Sequence, residues 1–561
     1  MHHRLVSILV RTAMCLLVLT VASQRLNAQS QGNPSQGFSP DTVLVAFNPG
    51  TAASEMGAAH SQAGGNVLRT IAAIDVQVVA VPNGTVLAAV QRYQRNPNVT
   101  FAEPNYQRPL FLPVTNEGTE PNLIPNFYDE QWGLDNTGQS FGATVDPLFG
   151  TLIVGAYEGV DDADIDAPEG WASAFVNAEI RIAILDSGVY CSHADLDSKC
   201  IEQTSFVGNK SLSADDILGH GTHVAGIAAA ETDNGVGIAG VAREALIGSL
   251  KVCWEDTSLD WLGIIQGVCD DADIAAAITY AAEKDEDQQL RYHVINLSLA
   301  GPQYSQTLLN AVNYAWTQGV VIVAGAGNGY TTKPLYPAAF DNVIAVGATD
   351  YFDNLAYFSS FGDWVSVLAP GHTIFSTVPN HFCAGMEPTD LRGCHDWKSG
   401  TSMATPYVSG IAAMLFAHLP NPTNAQVRSS IENSAEVEGA LGQNFQAWVQ
   451  HGRVNLYEAL NYDAGDPPAG GGGGGDTTDP VISNVGSKKL NGNRFEITWA
   501  TDEAADSMVT FVCCGPSSDG EMVTQHSMTF RGGKGAEYHY TVTSTDASGN
   551  STKSASFTHK N

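Results

Sequence analysis

The chain has 561 residues, more than one hydrophobic core usually organises, so two to four domains are expected. Its 59 acidic against 26 basic residues leave a formal net charge of −33. A field of that sign repels phosphates, and no Lys/Arg cluster stands against it, so a nucleic-acid partner is excluded and solubility or tolerance of saline surroundings is the simplest account.

The N-terminus combines basic residues, an apolar core from about Ala13 to Ala22 and a small-residue exit at Leu26-Asn27-Ala28. Residues 1–28 therefore read as a secretory signal peptide, which sends the protein out of the cell. The apolar stretch is too short to favour a spanning helix, and no later segment offers a membrane span. A lipoprotein anchor at Cys15 is the weaker alternative, because Met14 stands where such signals want a small residue.

Of the nine cysteines, Cys15 lies in that leader, which leaves eight in a chain that meets an oxidising compartment. Cys191 and Cys200, Cys253 and Cys269, and Cys383 and Cys394 each bracket a short loop, so the simplest connectivity joins neighbours. Cys513 and Cys514 are adjacent, which allows a vicinal bridge or two free thiols. None of these spacings matches paired zinc ligands.

From Thr42 to Leu110, strand-like runs (TVLVAFN, DVQVVAVPN, VTFAEPNY) alternate with helical ones (TAASEMGAAHSQAG, TVLAAVQRYQRN), a small α+β pattern. From about Asn122 to Tyr462, short apolar strands such as IRIAILD, EALIGSLKV, HVINLSLA, GVVIVAGAGN and NVIAVGAT recur. Helical segments including THVAGIAAAE, DIAAAITYAAEK and SQTLLNAVNYAWTQG lie between several of them. That rhythm predicts an α/β fold with a mostly parallel sheet covered on both faces. Six consecutive glycines within residues 463–476 form a flexible linker. Residues 477–561 follow as alternating β segments that fit a small antiparallel sandwich.

Three stretches carry chemistry. Ile182–Asp186 is a buried strand ending in a carboxylate; His220 opens an apolar helix; and Ser402, in Gly400-Thr401-Ser402-Met403-Ala404-Thr405-Pro406, opens a later one. Singly, each has a plain reading as a turn residue, a core residue or a helix cap. Jointly, they point to the carboxyl edge of an open α/β sheet, where such sheets place ligands. A Ser hydroxyl needs a neutral imidazole to take its proton, and the imidazole needs a carboxylate to fix its tautomer.

With DSG, HGTHVAG and GTSMATP in that order, and with INLSLAGP, AGAGNG, VIAVGAT, FSSFG and APG between or beside them, the chain resembles the subtilisin-like serine proteases, in the thermitase and proteinase K groups. The resemblance covers roughly Asn122 to Tyr462. It implies Ser402 as nucleophile, His220 as general base and then acid, and Asp186 as its orienting partner. It also implies Asn328 as side-chain donor of the oxyanion hole, beside the Ser402 backbone N–H. Ser298, Leu299, Ala300 and Gly301 would pair with substrate backbone and form one wall of the primary pocket. Leu335 would sit at the floor of that pocket, where no acidic residue is evident, which disfavours basic side chains.

Residues 29–115 resemble the inhibitory propeptide of these proteases, with the cut between about Leu110 and Asn122, and residues 116–462 are the catalytic domain. No cofactor is required for the chemistry. A structural calcium is compatible with Asp195 and the loop Thr232–Gly235, whereas Leu123-Ile124-Pro125 replaces the family's carboxylate near the mature N-terminus. The C-terminal segment resembles fibronectin type III-like modules of bacterial secreted enzymes, whose partner the fold does not give. The sequon Asn296-Leu297-Ser298 lies in an expected core strand and is not a modification site.

The resulting expectation is a secreted, self-processing serine endopeptidase acting on protein or peptide substrates and inhibited by its own propeptide. The rival is a catalytically silent adhesion or surface protein that keeps the fold and binds through its C-terminal module. A silent copy has no physical reason to keep Asp186, His220, Ser402 and Asn328 together.

Overall fold

A computed structural model of the chain describes residues 37–110, 128–141, 144–145, 152–153, 157–174, 178–208, 213–235, 237–256, 266–286, 288–383, 394–462, 480–490, 494–511, 515–531, 537–545, 551–554 and 557–560. The leader, the expected cut region, Leu123-Ile124-Pro125, the glycine linker and Cys513-Cys514 lie outside them. The chain divides into two compact units, residues 1–462 and 463–561.

The run Arg181–Asp186 explains the interior of the first unit. Successive strand side chains point to opposite faces. Ile182 and Ile184 enter one core while Ala183 and Leu185 enter another, and all four are fully buried. A strand apolar on both faces belongs inside a parallel sheet. Eight strands form it, in the order Cys200–Ser205, Leu246–Lys251, Arg181–Asp186, Val294–Leu297, Val321–Gly325, Ile344–Thr349, Val367–Pro370 and Gly452–Arg453. Every adjacent pair is parallel.

Helices His220–Ala229 and Thr401–His418 share the core of Ile182 and Ile184. Helices Asp271–Ala281 and Gln306–Gln318 share the core of Ala183 and Leu185. After Arg181–Asp186 the chain adds two strands on one side and then crosses to Val294–Leu297 on the other. The carboxyl ends at Asp186 and Leu297 therefore flank a topological switch point, where such sheets bind ligands.

The pro-segment is built as the alternation of strand and helix predicts. Strands Val99–Leu110, Phe38–Phe47, Val76–Ala80 and Asn66–Ile71 lie in that order and are antiparallel, with helices Ala53–Ala63 and Val86–Gln94 against them. They enclose their own core around Val43, Val45, Val79, Val86 and Tyr93. The Asn66–Ile71 strand has few buried residues and was not among the expected runs.

The edge strand Val99–Leu110 also continues the sheet into the catalytic part. It pairs antiparallel with Gln266–Asp270, placing Gln107, Arg108, Pro109 and Leu110 opposite Asp270, Cys269, Val268 and Gly267. The Cys253–Cys269 disulfide holds that strand to its hairpin partner Cys253–Asp256. Cys191 is bonded to Cys200 as expected. Cys394 is also disulfide-bonded, while the side chain of Cys383 lies outside the described residues.

Side chains of the pro-segment finish helices of the catalytic part. The Glu103 carboxylate accepts from the N–H groups of Gln306 and Thr307 at 3.0 and 2.9 Å, and from Thr307 Oγ1. Asn105 Oδ1 accepts from Ala272 N–H at 3.0 Å. Helix N-termini leave such donors unsatisfied and attract negative charge. Burial nonetheless raises the Glu103 carboxyl above its ordinary value.

In the second unit, strands Ser483–Leu490, Arg494–Phe511, Gly515–Arg531, Glu537–Thr545, Ser551–Lys553 and Phe557–Lys560 are antiparallel throughout. They form one branched sheet. Arg494–Phe511 pairs with Gly515–Arg531 along its length, and with Ser483–Leu490 and Glu537–Thr545 on successive stretches. Phe495, Ile497, Trp499, Val509, Phe511, Tyr540 and Val542 make its core.

One buried histidine predicts an acid limit for the fold. His293 Nδ1 accepts the Arg181 N–H at 3.3 Å, which requires an unprotonated ring nitrogen. Burial, and then the neighbouring Arg181 charge, lower its pKa from 6.5 to about 4. The unfolded chain takes up this proton first as pH falls, so the stabilising contribution is complete above about 6.5 and is lost as pH falls toward 4. Melting temperature measured on the Ser402→Ala chain, to avoid autolysis, should decline between pH 7 and pH 4.5. His293→Gln should show a smaller decline over that interval, and an equal one would discard His293 as a cause.

Candidate active site

Asp186 ends its strand at the switch point with its side chain fully buried. Its Oδ1 accepts from His220 Nδ1 at 2.8 Å and from Ser187 N–H at 2.7 Å. A ring nitrogen facing a carboxylate carries the proton, so Nε2 of His220 is left as an acceptor; it is buried and without a partner. The neighbouring His223 is a different case. Burial first, and then Lys398, push it well below its ordinary value, and its Nε2 pairs with the Asp396 carbonyl at 3.0 Å.

His220 is held by groups the motifs did not reveal. Asp216 Oδ1 accepts from Gly219 N–H at 2.9 Å and from Ser187 Oγ at 2.8 Å. Its Oδ2 accepts from Thr222 N–H at 2.9 Å and from Thr222 Oγ1 at 2.6 Å. One carboxylate thus caps the His220 helix and ties it to the residue after Asp186. Lys251 Nζ, lowered from its ordinary value by burial, donates to the Ser187 and Asp215 carbonyls, both at 2.8 Å. Asp at a short distance before a His-led helix is the only sequence signal, and it is shared by ordinary caps.

Ser402 lies in the first turn of the 401–418 helix. Its Oγ donates to the Ser298 carbonyl at 3.1 Å and is not bonded to His220. The Ser298 hydroxyl returns a bond to the Ser402 carbonyl at 2.9 Å. Pro406, four residues on, has no N–H, so that carbonyl lacks its normal helical donor, and Ser298 supplies one. The strand end Ser298 and the helix start Ser402 are thereby fastened together.

Asn328 is aimed by Thr401. Its Oδ1 accepts from Thr401 N–H at 2.8 Å and Thr401 Oγ1 at 3.0 Å, which turns Nδ2 the other way. A Cβ placed on Gly400 would fall 3.0 Å from Asn328 Nδ2 and 3.6 Å from Ser402 N. The space left by the missing side chain is therefore bordered by two N–H donors beside the Ser402 hydroxyl.

Of the expected pocket residues, Ser298, Leu299, Ala300 and Gly301 follow directly on the Val294–Leu297 strand and are buried. Gly301 pairs in both directions with the backbone of Tyr336, and Leu335 is half-buried just before it. The strand pairing made by the pro-segment is with Gly267–Asp270, a segment not singled out from the sequence.

Asp195, the expected calcium ligand, spends its oxygens on protein. Oδ2 accepts from Ile238 N–H at 2.9 Å and faces His395 Nε2 at 3.0 Å, while Oδ1 accepts from Asn234 Nδ2 at 3.3 Å. Calcium takes six to eight oxygens. Among the described residues no group of three or more His, Cys, Asp or Glu could hold a metal ion. Through these bonds Asp195 links Asn234 and Ile238 to the His395 strand.

A buried Asp–His pair and a helix-leading Ser at the carboxyl edge of a parallel sheet define a serine-hydrolase class of α/β protein. Residues 177–462 match the model of the subtilase family, and residues 25–105 match that of the fervidolysin N-terminal prodomain. The chain is 36% identical over 421 residues to the thermophilic serine proteinase of Bacillus sp. (strain AK1), covering 75% of this chain and 87% of that one. It is 39% identical over 317 residues to thermitase of Thermoactinomyces vulgaris, covering 56% and 99%. The crystal structure of fervidolysin from Fervidobacterium pennivorans, a keratinolytic enzyme related to subtilisin, matches with a TM-score of 0.57 at 25% identity, covering 91% of this chain and 71% of that one. The chain belongs to the subtilase family and is a serine endopeptidase made with a prodomain.

If Asp216 seats His220, Asp216→Ala should cost about 1–3 kcal/mol of stability for the charged acceptor it removes. The loss of kcat in the remaining folded protein should exceed that of a first-unit core variant of equal melting temperature that carries none of the site's hydrogen bonds, such as Ile431→Ala. Equal kcat for the two would confine Asp216 to stability.

Proposed function

We propose that Ser402, His220 and Asp186 form the catalytic triad of a secreted, self-processing endopeptidase, with Asn328 Nδ2 and the Ser402 N–H as its oxyanion donors. The observation that carries this reading is the donor-lined space at Gly400, beside Ser402 and on the sheet edge that holds the Asp186–His220 pair. When a substrate carbonyl enters, the Ser402 hydroxyl exchanges its bond to the Ser298 carbonyl for one to His220 Nε2. The imidazole takes the proton as Oγ bonds to the carbonyl carbon, and Asp186 stabilises the resulting cation. Negative charge then develops on the carbonyl oxygen between the two donors. His220 returns the proton to the leaving amine, and water repeats the sequence to release the acyl group from Ser402.

The N-terminal signal-like sequence supports secretion, and among the described residues no helix is long and apolar enough to cross a membrane. Self-processing follows from one nucleophile serving both the chain's own cut and foreign peptides. Expressed in a protease-free host, Ser402→Ala should remain uncut between the pro-segment and the catalytic part and should not hydrolyse casein. Normal maturation of that variant would remove self-processing.

Asn328→Ala separates an oxyanion donor from a turn residue. Loss of a donor acting on the transition state should lower kcat by roughly 10²–10³ with KM nearly unchanged; that magnitude is the one measured for the corresponding donor of subtilisin, a member of the same family. A near-normal kcat in a well-folded variant would take Asn328 out of the site.

A further inference from the structure

Arg108 belongs to the pro-segment, yet its side chain is fully buried among residues of the catalytic part. All five guanidinium N–H donors are engaged. Nε and Nη2 reach the two oxygens of Asp271, the second at 2.9 Å. Nη2 also donates to the Gln303 carbonyl at 3.1 Å, and Nη1 donates to the Tyr336 and Gly301 carbonyls at 2.7 and 3.3 Å. Gly301 makes room: a Cβ there would fall 3.1 Å from Nη1 and 3.4 Å from Cγ of Arg108. Burial raises the Asp271 carboxyl, and the Arg108 charge is the main influence opposing it. Because every partner is on the catalytic side, the cradle remains when the pro-segment leaves.

The cradle also lies on the path to the triad. Arg108 stands opposite Cys269 and Leu110 opposite Gly267. A Cβ at Gly267 would meet both Leu110 and Leu218, and Leu218 is two residues before His220. Across the cleft, Ser298 holds the Ser402 hydroxyl and Gly301, three residues on, holds Arg108. Going from Arg108 to Leu110 therefore leads toward the catalytic groups. A cut in the expected region after Leu110 puts Arg108 at least two residues upstream of the acyl carbon.

We propose that this cradle is a subsite of the mature enzyme that selects an arginine side chain on the acyl side of the cleaved bond, at the spacing Arg108 keeps from its own cut. The inference rests on the protease reading above. A planar five-donor cation fits a bidentate carboxylate and three carbonyls, whereas lysine brings three donors in another geometry. An apolar side chain would leave the buried Asp271 with Ser305 but without a countercharge, and would leave the three carbonyls without their donors; under-paired buried polar groups are what make such sites discriminate. The net charge of −33 favours cationic segments at long range.

The test uses the mature, naturally processed enzyme and quenched fluorescent peptides copying residues 104–117. The position of Arg108 is varied as Arg, Lys, citrulline and Ala, and mass spectrometry locates the cut. The Arg peptide should exceed the Ala peptide in kcat/KM by at least about tenfold, with Lys and citrulline between them. Asp271→Asn and Gly301→Ala should each collapse the Arg-to-Ala ratio. Equal hydrolysis of the Arg and Ala peptides by the wild type overturns the subsite alone. Hydrolysis of neither peptide, nor of casein, overturns the protease reading beneath it.

Discussion

The buried pair of Asp186 and His220 sets a demand that much of the first unit is arranged to meet. A carboxylate with no exposed surface is costly unless its partners are fixed in advance, and a half-satisfied polar network is worse than an apolar core. The central strand supplies Asp186 at its end, so its backbone is immobilised by ladders on both sides. Asp216, Ser187, Thr222 and Lys251 then anchor the loop and helix that carry His220. These residues need not touch substrate to matter, because error in the imidazole position passes directly into the proton transfer.

The second demand is to bring together segments far apart in sequence. Parallel strands require crossovers, and long-range pairing pays loop-closure entropy before it gains contacts. The pro-segment has its own core and local antiparallel sheet, so it can present Glu103 and Asn105 as ready caps to two helices of the larger part. Those contacts, together with the strand added at Gln266–Asp270, organise one flank of the cleft. The same strand places Leu110 against Gly267 and beside Leu218, two residues before His220.

Legibility followed the range of the forces involved. The strands Arg181–Asp186 and Ile344–Thr349 and the helix Gln306–Gln318 were readable because apolar periodicity and local caps specify them. Ser305 at its N-cap and Gly319 at its C-cap, for instance, stand at the ends of that helix in the sequence itself. Asp186, His220 and Ser402 were readable only jointly, through the sheet edge they share. Asp216 and Arg108 were not, since a carboxylate in a turn and a basic residue in an extended run look solvated until distant partners close over them. The weakly buried Asn66–Ile71 strand lacked a periodic signal, and the branching of the second unit depends on how Arg494–Phe511 divides its pairing between neighbours, which alternation does not encode.

The cleft itself is largely defined by missing side chains. At Gly400 the absent Cβ leaves the space between Asn328 Nδ2 and the Ser402 N–H; at Gly267 it admits Leu110 beside Leu218; at Gly301 it admits the stem and head of Arg108. None of the three has its φ in the left-handed region, so close approach and not backbone strain explains glycine at these points. A methyl group at Gly267 or Gly301 would intrude on Leu110 or Arg108, and one at Gly400 would crowd Asn328 Nδ2. At each of the three points the close approach is made by a different group, Arg108 at Gly301, Leu110 at Gly267 and Asn328 at Gly400, and glycine is what leaves room for it.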